Sequence, residues 1–341
     1  MLPLRHRLAP VLLLCCFSCG VVGPRFDRDP TALRRLPAHF ENDLIYVEPV
    51  TESGQRLRFL TDTGGGLFAS SAAARRAGWF VGEPPESVPF PRWRPEAWVP
   101  SPVDPVLPLW DAQGPQDSDD SGMFGAPWFA GRTWLLDYGS QALWLDQRQR
   151  EKPEAAVPLF FQRGPDGQPT TSFPRVRVEV YGVALDLLLD TGAQIRLTPE
   201  AHARLEGGDS PLRATSFLAA SLFDRFRAEN PEDRVADNAD ARVGGEPMLE
   251  VASVRIGACE VGPVWFTRRP DANFTDYMSK WMDQKVVGAL GGSALGAFRV
   301  TLSYPEAWAL LEPSHRPSGG RRATCGIPPR PPAPAVSPAR N

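Results

Sequence analysis

A chain of 341 residues is long enough to bury a sizeable core and to form two domains or lobes. The formal net charge of −3, without a Lys/Arg cluster beside an aromatic platform, excludes the electrostatic footprint of a nucleic-acid-binding protein, so no nucleic-acid partner is expected. The 37 prolines and 30 glycines, with few long helical periodicities, favour an all-β fold with a few short helices.

The N-terminus has the pattern of a targeting segment, residues 1–19. Arg5 and Arg7 precede an apolar stretch at residues 11–17 that is too short to span a bilayer stably. We therefore expect export to the periplasm or cell envelope. Cys19 is a candidate for the lipid-bearing cysteine of a bacterial lipoprotein, which would be the protein's one membrane contact. Residues 20–40 would then form a polar, Pro-containing tether.

Of the five cysteines, only Cys259 and Cys325 lie far outside that segment. An exported compartment would allow a disulfide between them, which would tie the C-terminal tail to the second half of the chain. Two unpaired thiols are the alternative, and the sequence does not choose between them.

Two stretches of the chain share one pattern, in which two strands form a β-hairpin and the second strand runs into Asp-Thr-Gly. In the first copy, strands at residues 44–50 and 56–60 lead to Asp62-Thr63-Gly64. In the second copy, strands at residues 175–180 and 183–189 lead to Asp190-Thr191-Gly192. One such tripeptide occurs by chance in roughly one of ten or twenty chains of this length, and two with matching surroundings are much rarer. The repeat predicts two lobes, at residues 41–147 and 157–312.

The surroundings also match downstream of each Asp-Thr-Gly. A helix start follows each copy, at Ser70-Ser71 and at Thr198-Pro199, where Thr is the expected N-cap. Each half then closes with two apolar residues and a glycine before an aromatic-rich hairpin. These closing segments are Met123-Phe124-Gly125 and Val286-Val287-Gly288.

The remaining segments have less specific patterns. We expect a solvated acidic loop at residues 117–120, a charged linker at residues 147–154, and helices at residues 217–226 and 274–283. Residues 313–341 are rich in Pro, Arg and Ser and have few apolar residues, so we expect this tail to be disordered. The stretch Gly291-Gly292-Ser293 lacks the spacing of a serine nucleophile elbow and indicates tight backbone packing instead.

This arrangement resembles the aspartic peptidases, and most closely the bacterial retropepsin-like aspartyl proteases, duplicated here within one chain as in the pepsins. The resemblance implies a two-lobed, aspartic-protease-like β-barrel fold with pseudo-twofold symmetry. It implies that Asp62 and Asp190 are the catalytic pair, and that a flap at residues 243–254 closes over the substrate. The supporting residues would be Thr63, Gly64, Thr191 and Gly192.

Two carboxylates a few Å apart share one proton, because both cannot ionise cheaply. The ionised member can take a proton from water while the protonated member polarises a carbonyl, so peptide hydrolysis needs no cofactor and no metal. The four histidines show no metal-binding spacing: His6, His39, His202 and His315. The sequence therefore predicts a monomeric aspartic endopeptidase acting on polypeptides. The alternative is a non-catalytic binding lipoprotein that keeps the fold, which the unrecognisable flap of the first lobe favours.

Overall fold

A computed structural model describes residues 33–110, 120–148, 151–205, 210–315 and 320–326. The targeting segment with Cys19, the acidic loop at 117–119 and most of the C-terminal tail lie outside these residues. The strands in the first half are β1 (Leu33–Arg35), β2 (Ala38–Glu41), β3 (Leu44–Val47), β4 (Phe59–Asp62), β5 (Phe68–Ala69), β6 (Ser87–Pro89), β7 (Val106–Pro108), β8 (Gly122–Gly125), β9 (Thr133–Asp137) and β10 (Ala142–Asp146).

The strands in the second half are β11 (Val157–Pro158), β12 (Arg175–Val180), β13 (Val183–Leu189), β14 (Gln194–Arg196), β15 (Leu212–Ala214), β16 (Ser216–Ala219), β17 (Val235–Asp240), β18 (Glu246–Val251), β19 (Val254–Ile256), β20 (Cys259–Gly262), β21 (Val264–Arg269), β22 (Gly288–Leu290), β23 (Phe298–Ser303), β24 (Trp308–Pro313) and β25 (Arg322–Cys325). The α-helices are α1 (Ser71–Arg76), α2 (Ala126–Phe129), α3 (Pro199–Arg204), α4 (Ala220–Glu229) and α5 (Gly292–Leu295). The expected all-β fold with a few short helices is confirmed.

The strands form two lobes joined by a shared sheet. Lobe 1 is built on the five-stranded sheet β2-β3-β4-β8-β5, and lobe 2 on a ten-stranded sheet that includes β12, β13, β16 and β22. Between them lies a six-stranded sheet, β1-β10-β9-β23-β24-β11, in which β9 of the first half pairs with β23 of the second. The strand order is linear in every sheet of the described residues, so none of them closes into a barrel.

The same topology occurs at the centre of both lobes, which is the expected pseudo-twofold relationship. In lobe 1, β8 pairs parallel with β4 and antiparallel with β5. In lobe 2, β22 pairs parallel with β13 and antiparallel with β16. A buried apolar core runs through both lobes and the shared sheet, because the inward-facing residues of these strands are Leu, Val, Ile, Phe and Trp.

The helix after the second Asp-Thr-Gly is not the counterpart of the helix after the first. Helix α1 directly follows β5, whereas its counterpart by topology is α4, which directly follows β16. The Thr198-Pro199 start does form α3, capped by Thr198 as predicted, but α3 belongs to an excursion of lobe 2. This excursion is residues 193–215, which connect β13 to β16 of the ten-stranded sheet. Its two ends meet, because the amide of Thr215 donates to the Ala193 carbonyl at 2.9 Å.

Other boundaries differ from the sequence prediction because strand pairing decides them. The expected tether, residues 20–40, contains strand β1, which pairs with β10, and the first three residues of β2, which pairs with β3. The expected disordered tail contains β25, which pairs with β20 and is joined to it by a Cys259–Cys325 disulfide. The first three residues of the expected helix at 217–226 belong to strand β16 and the other seven to α4. The expected helix at 274–283 is a π-helical turn, Asn273–Tyr277, followed by the 3-10 helix Met278–Trp281.

Candidate active site

The two aspartates stand at equivalent ends of buried strands. Asp62 is the last residue of β4 and pairs with Gly125 of the parallel strand β8. Asp190 directly follows β13, and its amide donates to the carbonyl of Leu290 in the parallel strand β22 at 2.9 Å. The apolar residues before each Asp are buried in the lobe, which fixes the strand and carries each carboxyl group to the boundary between the lobes.

The structure brings the two predicted catalytic residues together, with the carboxyl groups of Asp62 and Asp190 hydrogen-bonded to each other. Each carboxylate also accepts a hydrogen bond within its own turn. The amide of Gly64 donates to Asp62 Oδ1 at 2.8 Å, and the amide of Gly192 donates to Asp190 Oδ1 at 3.0 Å. The two turns are therefore near-copies related by the pseudo-twofold axis.

Glycine is required in both turns because each turn backbone lies against the carboxyl group of the other lobe. A Cβ added to Gly64 would lie 2.6 Å from Asp190 Cγ, and one added to Gly192 would lie 2.3 Å from Asp62 Cγ. Heavy-atom contacts this short do not occur, so any side chain at either position would push the opposite carboxyl group away. The glycines thereby permit the close approach of the two acids.

The two threonines cross-brace the turns, as predicted. The Thr63 hydroxyl donates to the Leu189 carbonyl at 2.7 Å, and the Thr191 hydroxyl donates to the Thr61 carbonyl at 3.2 Å. Each hydroxyl also accepts a hydrogen bond from the backbone amide of the other threonine, both at 3.1 Å. All four bonds are buried and cross from one lobe to the other, so they fix the distance between the two Asp-Thr-Gly turns.

Burial and mutual proximity change the acidity of both acids. Burial raises the pKa of Asp62, although hydrogen bonds from Asp190 and from the Gly64 and Gly65 amides oppose the change. Burial raises the pKa of Asp190 well above its ordinary value, and the nearby Asp62 charge raises it further. The pair can therefore hold one proton on Asp190 while Asp62 is ionised, which is the charge state that general acid–base chemistry requires.

The closing glycine of lobe 2 is Gly291, and the prediction of Gly288 was wrong. Gly125 ends β8, the partner strand of Asp62, and is the N-cap of α2, and Gly291 in the same way follows Leu290 of β22 and is the N-cap of α5. A Cβ on Gly125 would lie 2.1 Å from the Gly66 carbonyl oxygen, and one on Gly291 would lie 1.9 Å from that of Thr215. Gly288 is instead the counterpart of Gly122. The spacing Gly-x-x-Gly in both halves was the sequence signal for this correspondence.

Thr61 stands where an apolar residue usually precedes the Asp of this motif. Its buried hydroxyl donates to the Ile45 carbonyl at 3.0 Å, so the polar group is satisfied within lobe 1. The departure from the motif therefore does not disturb the strand that carries Asp62.

The predicted flap region of lobe 2, residues 243–254, covers the end of the turn at 241–245, strand β18 and the first residue of β19. The hairpin itself begins earlier, because β18 pairs with β17. The hairpin packs on the excursion, since the amide of Thr198 donates to the Ala239 carbonyl at 2.9 Å. Its counterpart in lobe 1 is the shorter β6–β7 hairpin, which carries the Pro- and Trp-rich segment between its strands. Among the described residues, no group of three or more His, Cys, Asp or Glu side chains is placed to hold a metal.

No protein-family model matches the chain, and no curated protein is similar to it in sequence. Among solved structures, the chain is similar to an aspartic proteinase from Irpex lacteus, with 8% identity and a TM-score of 0.48 over 84% of this chain and 99% of that one. It is also similar to edgp, with 9% identity and a TM-score of 0.42 over 84% of this chain and 95% of that one.

Proposed function

We propose that this protein is an aspartic peptidase, which hydrolyses peptide bonds with a water molecule activated by Asp62 and Asp190. The observation that carries the proposal is the hydrogen-bonded pair of carboxyl groups at the lobe boundary, in which each acid has a raised pKa. Two further features support a built site over a chance meeting of two acids. The threonines exchange hydrogen bonds across the lobe boundary, and Gly64 and Gly192 leave space for the carboxyl group of the opposite lobe.

The reaction follows from the charge state of the pair. Ionised Asp62 accepts a proton from the water as its oxygen attacks the carbonyl carbon, and protonated Asp190 donates a hydrogen bond to the carbonyl oxygen. Asp190 transfers its proton to the carbonyl oxygen as the tetrahedral diol forms. Asp62 then gives the proton it took from water to the amide nitrogen, while Asp190 takes a proton from one diol hydroxyl. The C–N bond breaks, a carboxylic acid and an amine leave, and the pair regains its starting charge state. The net change is addition of one water across the C–N bond, and no covalent intermediate with the enzyme forms.

We further propose a bacterial retropepsin-like peptidase that acts as a monomer on polypeptides in the periplasm or cell envelope. The disulfide between Cys259 and Cys325 supports an oxidising compartment, because such bonds rarely persist in the cytosol. A lipid on Cys19 would anchor the protein to a membrane. Within the described residues, no helix is long and apolar enough to cross a bilayer.

Incubation of the purified protein with unfolded casein from about pH 3 to pH 8, with and without pepstatin, tests the proposal. We expect cleavage by the wild type, inhibition by pepstatin, and loss of at least about 10³-fold in rate for both Asp62→Asn and Asp190→Asn. The matched control is Asp224→Asn, which changes an exposed carboxyl group on helix α4 paired with Arg268 and should leave the rate unchanged. Failure of the folded wild type to cleave at any pH would instead favour a binding protein.

A further inference from the structure

The last described segment of the chain, residues 320–326, contributes no buried apolar side chain to the core. Three of the four residues of β25 are exposed, and the fourth, Ala323, is half-buried. The strand lies at the edge of the ten-stranded sheet, where it pairs with β20 over four residues. A short edge strand of this kind gains little from the hydrophobic effect, so pairing with β20 alone would hold it weakly.

The Cys259–Cys325 disulfide is the covalent link that fastens this strand to lobe 2. Cys259 lies in β20 and has an exposed fraction of 5%, whereas Cys325 lies in β25 and is exposed. A dithiol in solution can therefore reach the bond from the Cys325 side. Reduction gives the two cysteines two electrons and two protons, so that both become thiols, and the dithiol is oxidised to its own disulfide.

Arg321 directly precedes β25 and connects it to both lobes. Its side chain forms an ion pair with Asp43, which lies in the turn of the β2–β3 hairpin of lobe 1. It also donates to the carbonyls of Gly292 and Ser293 in α5 of lobe 2, at 3.1 and 3.0 Å. The Arg321 side chain is only 7% exposed, so these bonds are sheltered from water. The guanidinium group thus links the lobes.

Both ends of this link belong to elements that support the two acids. The hairpin that carries Asp43 contains β3, which pairs with β4, the strand that ends at Asp62. Helix α5 follows β22, whose last residue, Leu290, accepts the hydrogen bond from the Asp190 amide. The bonds of Arg321 therefore join the support of one acid to the support of the other.

The hairpin turn that the ion pair holds lies closely against lobe 2. A Cβ added to Gly292 or to Gly296 would lie 2.7 Å from an oxygen atom of Asp43. The neighbouring Asn42 carbonyl accepts a hydrogen bond from the Ala214 amide of lobe 2 at 3.0 Å. Loss of the ion pair would free the turn to move away from lobe 2, and faster hydrogen exchange of the Ala214 amide would report that movement.

We propose that Arg321 is a positioning residue for the acid pair and that the disulfide controls whether it is in place. This inference rests on the proposed peptidase function. With the disulfide formed, the ion pair with Asp43 is closed and the acids are aligned. Reduction releases β25 together with Arg321, the contact between the lobes loosens, and peptide cleavage slows. An exported chain would thus gain full activity when the disulfide forms outside the reducing cytosol.

The first test compares the oxidised wild type, the wild type reduced with dithiothreitol, and Cys259→Ser/Cys325→Ser, which cannot form the bond. Reduction should lower the rate of casein cleavage at least about fivefold, and reoxidation with oxidised glutathione should restore it. The double variant should match the reduced wild type with and without the reductant. Equal, measurable rates for the oxidised and reduced wild type, or a reductant effect that the double variant also shows, would overturn the proposal.

Hydrogen exchange separates this proposal from the peptidase function, because it needs no turnover. Reduction should raise the exchange rate of the Ala214 amide at least about fivefold. The Ala219 amide, which donates to the Val287 carbonyl at 2.9 Å within lobe 2, is the internal control. Faster exchange at Ala214 beside unchanged exchange at Ala219 supports the proposal even if the protein cleaves nothing. Unchanged exchange at Ala214 overturns it even if the protein is an active peptidase.

Substitution of Arg321 tests whether the disulfide acts through this residue. Arg321→Gln should resemble the reduced wild type, and reduction should then have little further effect on cleavage or on exchange at Ala214. Arg322→Gln is the matched control, because Arg322 is the adjacent, exposed arginine of β25 and its loss should leave the redox effect intact. If Arg321→Gln and reduction lower the rate by independent factors, the disulfide acts elsewhere and the proposal is wrong. The comparison of oxidised and reduced wild type stands even if Arg321→Gln does not fold.

Titration of the ¹³C-labelled Asp carboxyl groups gives a readout that a purely structural role would not change. Reduction should bring the two apparent pKa values of the acid pair closer together, because carboxyl groups that lie farther apart interact less. Arg321→Gln should have the same effect in the oxidised protein, and Arg322→Gln should not. Well-separated pKa values that reduction leaves unchanged would overturn the positioning role of Arg321.

Discussion

Thr63 and Thr191 accept hydrogen bonds from each other's backbone amides, both at 3.1 Å, across the boundary between the two lobes. Each hydroxyl then donates to a carbonyl of the opposite strand end, at Leu189 or Thr61. These hydrogen bonds hold the carboxyl groups of Asp62 and Asp190, which directly precede the two threonines, close together. The distance between the acids is thus set by backbone and hydroxyl groups and does not depend on the flexibility of the Asp side chains.

Removal of the Thr63 hydroxyl should lower both the free energy of unfolding and the rate of peptide cleavage. Thr63→Val keeps the shape of the side chain but leaves the Thr191 amide and the Leu189 carbonyl without partners, so we expect a loss of about 2–4 kcal/mol in the free energy of unfolding. The rate of peptide cleavage should fall as well. Urea denaturation and steady-state kinetics measure the two effects. Thr63→Ser, which retains the hydroxyl, is the control; equal stability of all three proteins would contradict this role.

The turn glycines allow a comparison within a single motif. Gly64→Ala would place a Cβ 2.6 Å from Asp190 Cγ, whereas a Cβ on Gly66 would meet nothing within 4 Å. We expect Gly64→Ala to lose at least about 10²-fold in kcat through displacement of the opposite acid, and Gly66→Ala to remain within about twofold of the wild type. Circular dichroism checks that both variants fold. Full activity of Gly64→Ala would show that the acids need not approach as closely as they do here.

Stability should depend on pH through the raised pKa of Asp190. An Asp whose pKa is raised binds its proton more tightly in the folded state, so its stabilising effect is complete below the unfolded pKa near 3.8. The effect is lost as pH rises through the folded pKa. Asp190→Asn cannot ionise, so its Tm relative to the wild type should increase from low to neutral pH. A Tm difference that stays constant or falls with pH would argue against a raised pKa.

A second link between the lobes lies at Asp43 and Arg321. Their side chains form a buried ion pair, and Arg321 also donates to the carbonyls of Gly292 and Ser293 in α5 at 3.1 and 3.0 Å. Loss of one partner of such a pair leaves a buried charge, so we expect Arg321→Ala to cost about 3–5 kcal/mol of folding free energy. Arg204→Ala breaks the exposed pair with Glu200 and should cost below about 1 kcal/mol.

Guanidinium denaturation of the two arginine variants provides the comparison. Reduction of the Cys259–Cys325 disulfide should lower the stability of the wild type as well, because the disulfide holds β25, the strand that begins directly after Arg321. Equal costs for Arg321→Ala and Arg204→Ala would mean that the buried pair does not lock the lobes.

The meeting of the two Asp-Thr-Gly turns could be predicted from the sequence because its signals are local. An apolar strand, a tight turn and Asp-Thr-Gly occupy adjacent residues, and the repetition identified Asp62 and Asp190 as a pair. The supporting Thr and Gly residues followed from the same motif. Local patterns likewise predicted the N-cap Thr198 and the strand pairs around each motif.

The errors concern features that depend on distant partners. Strand β25 lies in a Pro- and Arg-rich tail and is ordered by pairing with β20 and by the disulfide. Gly291 was missed because the role of a closing glycine depends on which carbonyl it meets, here that of Thr215. The packing of β15 against the first lobe could not be predicted from the sequence either, since no local pattern indicates that Leu212 and Ala214 contact Leu60.

The sharing of one proton by Asp62 and Asp190 is tested most directly by NMR titration of the protein labelled with ¹³C at the Asp carboxyl groups. We predict two well-separated steps for the pair, with the higher apparent pKa far above 3.8, and a lower pKa of Asp190 in Asp62→Asn, where the neighbouring charge is gone. Two carboxyl groups that titrate independently near 3.8, with Asp190 unaffected by Asp62→Asn, would contradict the account.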